Sequence, residues 1–218
     1  MARNKNPEIT INRILDTSMD LFLKKGYDNT TIQDIVNELG DLSKGAIYHH
    51  FKSKEEIMEA VIPRIYRGSD EDVLESEKIT CKNGLDKLKK TLLKSLKNPA
   101  QERIIKAAPN LMKNPRILTQ QLFDVVGKIV PTIVEPIIRE GMNDGSINTN
   151  NPKELAESFI ILMNVWMNPS VFFVGKEEFR QKFEFLKELL VGLGMPILDE
   201  EFIEVMEQYR SIIEDSKK

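Results

Sequence analysis

Apolar residues recur at helical spacing along almost the whole chain. Ile32, Ile35 and Val36, for example, fall on one face of a helix. A sustained alternation of apolar and polar residues, which would predict β-strands, is missing. Glycines and prolines from Gly26 to Pro196 divide the chain into segments of helix length. The sequence therefore predicts an all-α fold with about nine or ten helices.

The helix boundaries follow from these breakers and from capping residues. Three short helices are expected first, at about Glu8 to Lys25, Thr31 to Leu39 and Ser43 to His50. A fourth should begin at Ser53 and run towards Arg67, because Ser53 and Glu56 have the spacing of a capping box. Further helices are expected at residues 85–96, 100–112, 116–142, 153–173, 177–193 and 200–215. Pro131 and Pro136 predict a kink or a break in the segment 116–142.

The composition is that of an ordinary globular protein, with 41% hydrophobic and 30% charged residues in a chain of 218. The single Cys81 excludes an intrachain disulfide, and the polar start of the chain does not resemble a secretory signal. No stretch approaches the roughly 20 apolar residues of a membrane span. A cytoplasmic protein with no membrane contact is expected. The net charge of −3 argues against a non-specific coat on nucleic acid but permits a local DNA-reading surface.

Residues 31–50 have the pattern of a helix-turn-helix, in which a tight turn joins two short helices. The turn is expected at Gly40, Asp41 and Leu42. In the second helix, Ile47 and Phe51 are four residues apart and would pack inward. The outer and leading surfaces then carry Lys44, Ala46, Tyr48 and His49. A helix with this outer face can enter the major groove of DNA.

The chemistry of these residues suits DNA. Lys44 offers a charge-assisted donor to phosphate or guanine, and Tyr48 and His49 can hydrogen-bond phosphate oxygens or touch thymine methyl groups. Small residues let the helix backbone approach the bases, and hydroxyls and amides at helix N termini can dock a phosphate. The predicted DNA-binding residues are Thr31, Ser43, Lys44, Gly45, Tyr48, His49, Lys52 and Lys54. For Lys44 and Lys52 the alternative is an ordinary solvated charge.

The order of residues around this motif also matches a known family. The pattern consists of Leu21, Phe22, Lys25, Gly26 and Tyr27, then Thr30, Thr31, Ile32, Asp34 and Ile35, then Ser43, Lys44, Gly45, Tyr48 and the run from His50 to Glu55. With it, the segment from Ile14 through Val61 resembles the N-terminal domain of TetR/AcrR-type transcriptional repressors. The resemblance places DNA contacts on the eight residues named above. The turn from Gly40 to Ser43 departs from the family's commonest turn by one extra residue, Asp41.

The resemblance implies a homodimer that binds a palindromic double-stranded operator and releases it when a small effector enters the larger domain. Two domains are expected, a DNA-binding domain at residues 1–54 and an effector-binding and dimerisation domain at residues 55–218. Segments 153–173 and 177–193 carry apolar residues beyond one stripe, so they can form a four-helix bundle with the same pair from a second subunit. The alternative is a core within one chain.

The larger domain contains aromatic and methionine residues that could line a pocket for a hydrophobic or amphipathic effector. Each of them could equally belong to the core or to a dimer interface. The candidate ligand-binding residues are Met112, Phe123, Met142, Phe159, Met163, Trp166 and Met167.

An enzymatic role has no support in the sequence, which lacks a nucleophile with a neighbouring base, a glycine-rich phosphate loop and a metal-ligand cluster. His49 and His50 are adjacent and would point about 100° apart on a helix, so they cannot chelate a metal from one face. We therefore expect no cofactor, no metal and no catalysis. The leading hypothesis is a ligand-responsive transcriptional repressor. The alternative is a helical adaptor that binds a protein partner without DNA.

Overall fold

The computed structural model describes residues 7–66, 80–113 and 115–215, and these ranges contain helices and no β-strand. This confirms the all-α prediction. The α-helices of these ranges are α1 (Pro7–Lys25), α2 (Ile32–Leu39), α3 (Lys44–His50), α4 (Lys54–Tyr66), α5 (Gly84–Leu96), α6 (Pro99–Ala107), α7 (Pro115–Asp124), α8 (Glu135–Asp144), α9 (Pro152–Ile161), α10 (Lys176–Gly192) and α11 (Glu200–Asp215).

The two prolines of the segment 116–142 lie within consecutive helical stretches. Helices α7 and α8 are joined by a π-helical stretch at Val125–Val134, which contains Pro131. Pro136 lies in the first turn of α8, where a missing backbone donor is tolerated. The wider π turn is a known way to absorb a local irregularity within a helix. A change of helix type thus lies where the sequence predicts a kink or a break.

The expected helix 153–173 is also shorter in the structure. A second π-helical stretch at Leu162–Trp166 follows α9, and the Met167 N–H closes it by donating to the Leu162 carbonyl, five residues back. The Asn168 side chain then accepts from the Ser170 N–H, and the intervening Pro169 has no N–H to offer. These contacts end the helix before residue 173. In the same way, the segment 100–112 divides into α6 and a 3₁₀ turn at Leu111–Lys113.

Helices α1 to α4 form the N-terminal part of the fold. The apolar faces predicted from helical spacing meet in its interior, where Ile14, Phe22, Ile35, Ile47 and Ile57 are all fully buried. Helix α1 packs against both α2 and α4, and α2 packs against α3. The short α2 and α3 therefore depend on α1 and α4 for their stability, because helices of this length are marginal alone.

The predicted capping box at the start of α4 is formed only in part. The Ser53 hydroxyl accepts from the Glu56 N–H at 3.3 Å, as expected. The Glu56 carboxylate, however, accepts from the N–H of Lys52 instead of that of Ser53. The carboxylate still satisfies a backbone donor, so the chain turns into α4 with a fixed direction.

Two apolar cores lie in the described part of the chain. One joins α1 to α4 with α6 and includes Ala100, Ala107, Ala108 and Leu111. The other is built mainly from α5 and α8 to α11. The division of the chain at residue 54 stays a prediction. None of the helices in the described ranges has both the length and the apolar character that a bilayer crossing requires.

Candidate nucleic-acid interface

The N terminus of α2 is held by a reciprocal capping box. The Thr31 hydroxyl accepts from the Asp34 N–H at 3.1 Å, and the Asp34 carboxylate accepts from the Thr31 N–H at 2.8 Å. The carboxylate also accepts from the Thr31 hydroxyl and from Lys25 Nζ. Together these donors lower the pKa of Asp34 to about 2, with the hydrogen bonds from Thr31 as the main cause. The box fixes Thr31, a predicted phosphate contact, at an exposed helix start.

The turn between α2 and α3 is tied back to α1. Gly40 has φ of +74°, a conformation that a side chain would strain, and its N–H donates to the Val36 carbonyl. Arg13 of α1 donates two hydrogen bonds to the Asp41 carboxylate, at 2.9 and 2.6 Å. The Arg13 guanidinium lowers the pKa of Asp41. Arg13 thus positions Asp41, the extra turn residue, and offsets its negative charge.

Helix α3 is anchored on one side and exposed on the other. Its N-cap is Ser43, whose hydroxyl accepts from the Ala46 N–H at 3.2 Å. Ile47 is fully buried and Phe51 nearly so, while the Tyr48 side chain is 45% exposed. Lys44 and His49 are exposed as well, with the Lys44 ammonium 6.0 Å from the centroid of the Tyr48 ring. The helix therefore presents one cationic and hydrogen-bonding face to solvent.

One of the eight predicted DNA-binding residues is less exposed than the other seven. Seven of them are exposed at the start of α2, on α3 or in the turn that follows it: Thr31, Ser43, Lys44, Gly45, Tyr48, His49 and Lys52. Lys54 is half-buried, and its ammonium donates to the carbonyls of Tyr27 at 2.7 Å and Thr30 at 2.9 Å. These two bonds could not be predicted from the sequence, because they depend on how α4 lies against the turn after α1.

A cavity of about 140 Å³ lies in the C-terminal part of the fold, between α5, α6, α9 and α11. Of the seven candidate ligand-binding residues, Phe159 and Met163 line it. Trp166 and Met142 pack at the edge of the second core, and Met167 is buried within that core. The other two, Met112 and Phe123, are 56% and 68% exposed.

The cavity also has polar lining residues that sequence reasoning missed, namely Gln101, Gln121, Asn164 and Asn168. The two asparagines are four residues apart within an otherwise apolar helical segment, and this spacing was the one available signal. The two glutamines come from different helices, so nothing local could have connected them. The described lining residues include no charged side chain.

Across the described residues, no group of three or more His, Cys, Asp or Glu side chains is arranged to hold a metal ion.

Comparison with known proteins agrees with this geometry. Residues 14–61 match the family model described as bacterial regulatory proteins, tetR family. The HTH-type transcriptional regulator YerO of Bacillus subtilis is 59% identical over 46 residues, which are 21% of this chain and only 16% of YerO. IcaR of Staphylococcus epidermidis, the negative transcriptional regulator of the biofilm operon icaADBC, is 26% identical over 81% of this chain and 88% of its own length.

Solved structures share the fold of most of the chain. The crystal structure of AibR in complex with isovaleryl coenzyme A and operator DNA aligns with a TM-score of 0.51 and 22% identity, over 85% of this chain and 98% of that one. The all-α fold and the exposed, capped α3 define a helix-turn-helix domain. Residues 14–61 thus form an N-terminal domain of the kind that the tetR family of bacterial regulatory proteins shares. Its relatives are named as regulators and not as enzymes.

Proposed function

We propose that the chain is a ligand-responsive repressor that binds a palindromic operator as a homodimer and is released by a small uncharged effector. In this proposal residues 1–54 read the DNA, and residues 55–218 dimerise and bind the effector. The protein would act in the compartment that holds the DNA. The observation that carries the proposal is the outer face of α3, where Lys44, Tyr48 and His49 are exposed on a helix anchored by buried Ile47.

Repression is supported by the relatives, because IcaR is named a negative regulator. The crystal structure of AibR holds an acyl coenzyme A and operator DNA together, so a protein of this fold can bind both. For the present chain, one arrangement of the dimer would bind the operator and another would release it. An effector shifts the balance between them only if it binds the two with different affinity.

Dimerisation is supported by an apolar face of α10. Phe185 and Leu189 are four residues apart on this helix and are 58% and 38% exposed. Ile161 at the end of α9 is 44% exposed, and the ring of Trp166 contacts that of Phe185 with centroids 5.9 Å apart. Monomeric proteins seldom leave such apolar patches uncovered. A second copy related by a two-fold axis would cover the face and present two α3 helices to successive major grooves.

An uncharged effector is supported by the cavity. A cavity of about 150 Å³ engineered in another protein binds benzene, so a cavity of about 140 Å³ fits a molecule with one small ring. The carboxamides of Gln101, Gln121 and Asn164 can each donate and accept hydrogen bonds. A charged ligand would lose its hydration without gaining a counter-ion from the described lining.

The proposal is tested by selecting duplexes from a random DNA library with the purified chain and with its Tyr48→Ala variant. We expect the chain to enrich one palindrome and the variant to bind that duplex about tenfold or more weakly, because both subunits of the dimer lack the Tyr48 side chain. Sedimentation should show the same dimer for both proteins. Failure to enrich any palindrome would refute the DNA-binding role and favour the adaptor. Equal affinity of the two proteins for an enriched palindrome would instead contradict the assignment of α3 as the helix that reads the DNA.

A further inference from the structure

The ammonium group of Lys54, the first residue of α4, is enclosed by the turn between α1 and α2. It donates to the carbonyl oxygens of Tyr27 and Thr30, at 2.7 and 2.9 Å. It also lies 4.1 Å from the centroid of the Tyr27 ring, within the range of a cation–π interaction. The side chain is half-buried, and this burial lowers the pKa of Lys54. The Lys54 ammonium is therefore bound by backbone carbonyls and by the aromatic ring of Tyr27.

These contacts occupy most of the bonding capacity of the ammonium. A lysine has three donors, of which two are used here by carbonyls, and the Tyr27 ring covers a further side. Moving the ammonium to a DNA phosphate would break both hydrogen bonds and leave two carbonyls without this donor. The neighbouring Lys52 is different, because it is exposed and makes no ion pair with any described residue.

The two carbonyls belong to a segment that determines where α2 begins. Thr30 directly precedes Thr31, the N-cap of α2, and its hydroxyl donates to the Gly26 carbonyl at 2.8 Å. Tyr27 is itself fixed, since its N–H donates to the Ala107 carbonyl at the end of α6 at 2.6 Å. Lys54 thus joins the start of α4 to the turn that leads into α2.

We propose that Lys54 is a positioning residue and not a phosphate ligand: it holds the N terminus of α2 against α4, so that Thr31 and the recognition helix α3 meet DNA in one fixed geometry. This inference rests on the proposed DNA-binding function. It replaces the expectation, taken from sequence, that Lys54 contacts the DNA backbone directly.

The test compares Lys54→Met with its matched control Lys52→Met by measuring how operator affinity depends on salt. The probe is the duplex that the unmodified chain selects from the random library. Each lysine–phosphate pair contributes about 0.9 to the slope of log affinity against log salt, so removing one pair from each of the two subunits lowers the slope by about 1.8. For Lys52→Met we expect that decrease. For Lys54→Met we expect at least fivefold weaker binding at every salt concentration, with an unchanged slope.

A double variant separates positioning from a general loss of stability. If Lys54 acts through the start of α2, removing the Thr31 hydroxyl with Thr31→Val should remove most of the effect of Lys54→Met. The double variant is then expected to bind about as well as the weaker single variant. All affinities are measured well below the unfolding midpoints found by circular dichroism, so a loss of folded protein does not enter them. Should Lys54→Met not fold, Lys54→Gln carries the same comparison.

The outcomes are distinct. A slope that falls by about 1.8 in Lys54→Met would identify Lys54 as a phosphate ligand and overturn the proposal. Unchanged affinity in Lys54→Met, or fully multiplicative losses in the double variant, would overturn it as well. If the unmodified chain selects no duplex, the proposed function fails and this inference fails with it.

Discussion

At the start of α2, a single carboxylate holds three donors in place. Asp34 accepts from the N–H and the hydroxyl of Thr31 and from the Lys25 ammonium. Its pKa of about 2 in the folded protein lies below the value of about 4 of an unfolded chain. A group with a lowered folded pKa stabilises the fold above its unfolded pKa, and this contribution is lost as the pH falls towards its folded pKa.

The residue-scale prediction concerns this dependence on pH. In the unmodified chain, the free energy of unfolding should fall between about pH 4 and pH 2, in part because Asp34 becomes protonated. In Asp34→Asn the fall should be shallower over that interval, and stability at pH 7 should be lower. Urea unfolding at several pH values measures both. The control Glu38→Gln removes a carboxylate from the same helix but leaves the cap intact, and an equal change in that variant would contradict the assignment.

At the level of single residues, sequence reasoning was limited to contacts within one turn of helix. Thr31 and Asp34 have the spacing of a capping box, so their reciprocal bonds could be read from the sequence. The bidentate pair of Arg13 with Asp41 joins residues 28 positions apart and has no local signature. The same holds for Lys54, whose partners lie 24 and 27 positions earlier. The first contact depends on how α1 packs against α2, and the second on how α1 packs against α4.

At the scale of elements, helical periodicity located most helices because each buries one apolar stripe. It could not foresee the π-helical stretches at Val125–Val134 and Leu162–Trp166, since an added residue per turn leaves no simple periodic mark. Periodicity also marked α10 as apolar beyond one stripe. In the structure Phe183 and Leu186 face the interior and are buried, whereas Phe185 and Leu189 remain exposed.

The element-scale prediction tests the exposed face of α10. Phe185→Glu and Leu189→Glu should each convert a dimer into a monomer, because two-fold symmetry would bury like charges opposite each other. Operator affinity should then fall, since one subunit reads only half of a palindrome. Sedimentation velocity measures the mass of the particle. Gln208→Glu adds the same charge at an exposed position of α11 and should remain dimeric. Dimeric Phe185→Glu and Leu189→Glu variants would exclude this face as the interface.

At the scale of the whole molecule, the cavity and the core of the N-terminal helices have residues in common. Ala108 and Leu111 line the cavity and also belong to the core that contains α1 to α4. A ligand that moves the end of α6 therefore acts on residues packed against the N-terminal part. This connection lies beyond sequence reasoning, which placed Met112 in the pocket but not its buried neighbour Leu111.

The whole-molecule prediction compares three ligands that share one ring and differ in charge: benzamide, benzoate and benzylamine. We expect benzamide to stabilise the protein by about 1.4 kcal/mol at ten times its Kd, which is about 3–6 °C in Tm for a chain of this size. It should also weaken operator binding. The charged ligands should do neither, because the described lining offers them no counter-ion. Equal effects of benzoate or benzylamine would contradict the uncharged class, and a Met163→Trp variant that fills the cavity should abolish the response to benzamide.

The hydrogen bond from the Tyr27 N–H to the Ala107 carbonyl joins the turn after α1 to the end of α6. Because α6 completes the core of α1 to α4, the N-terminal helices do not form an independent unit that can be exchanged without it. In a chimera whose residues 1–54 come from another regulator, Ala100 and Ala107 would face a surface to which they are not matched. A graft intended to change DNA specificity therefore has to include the end of α6.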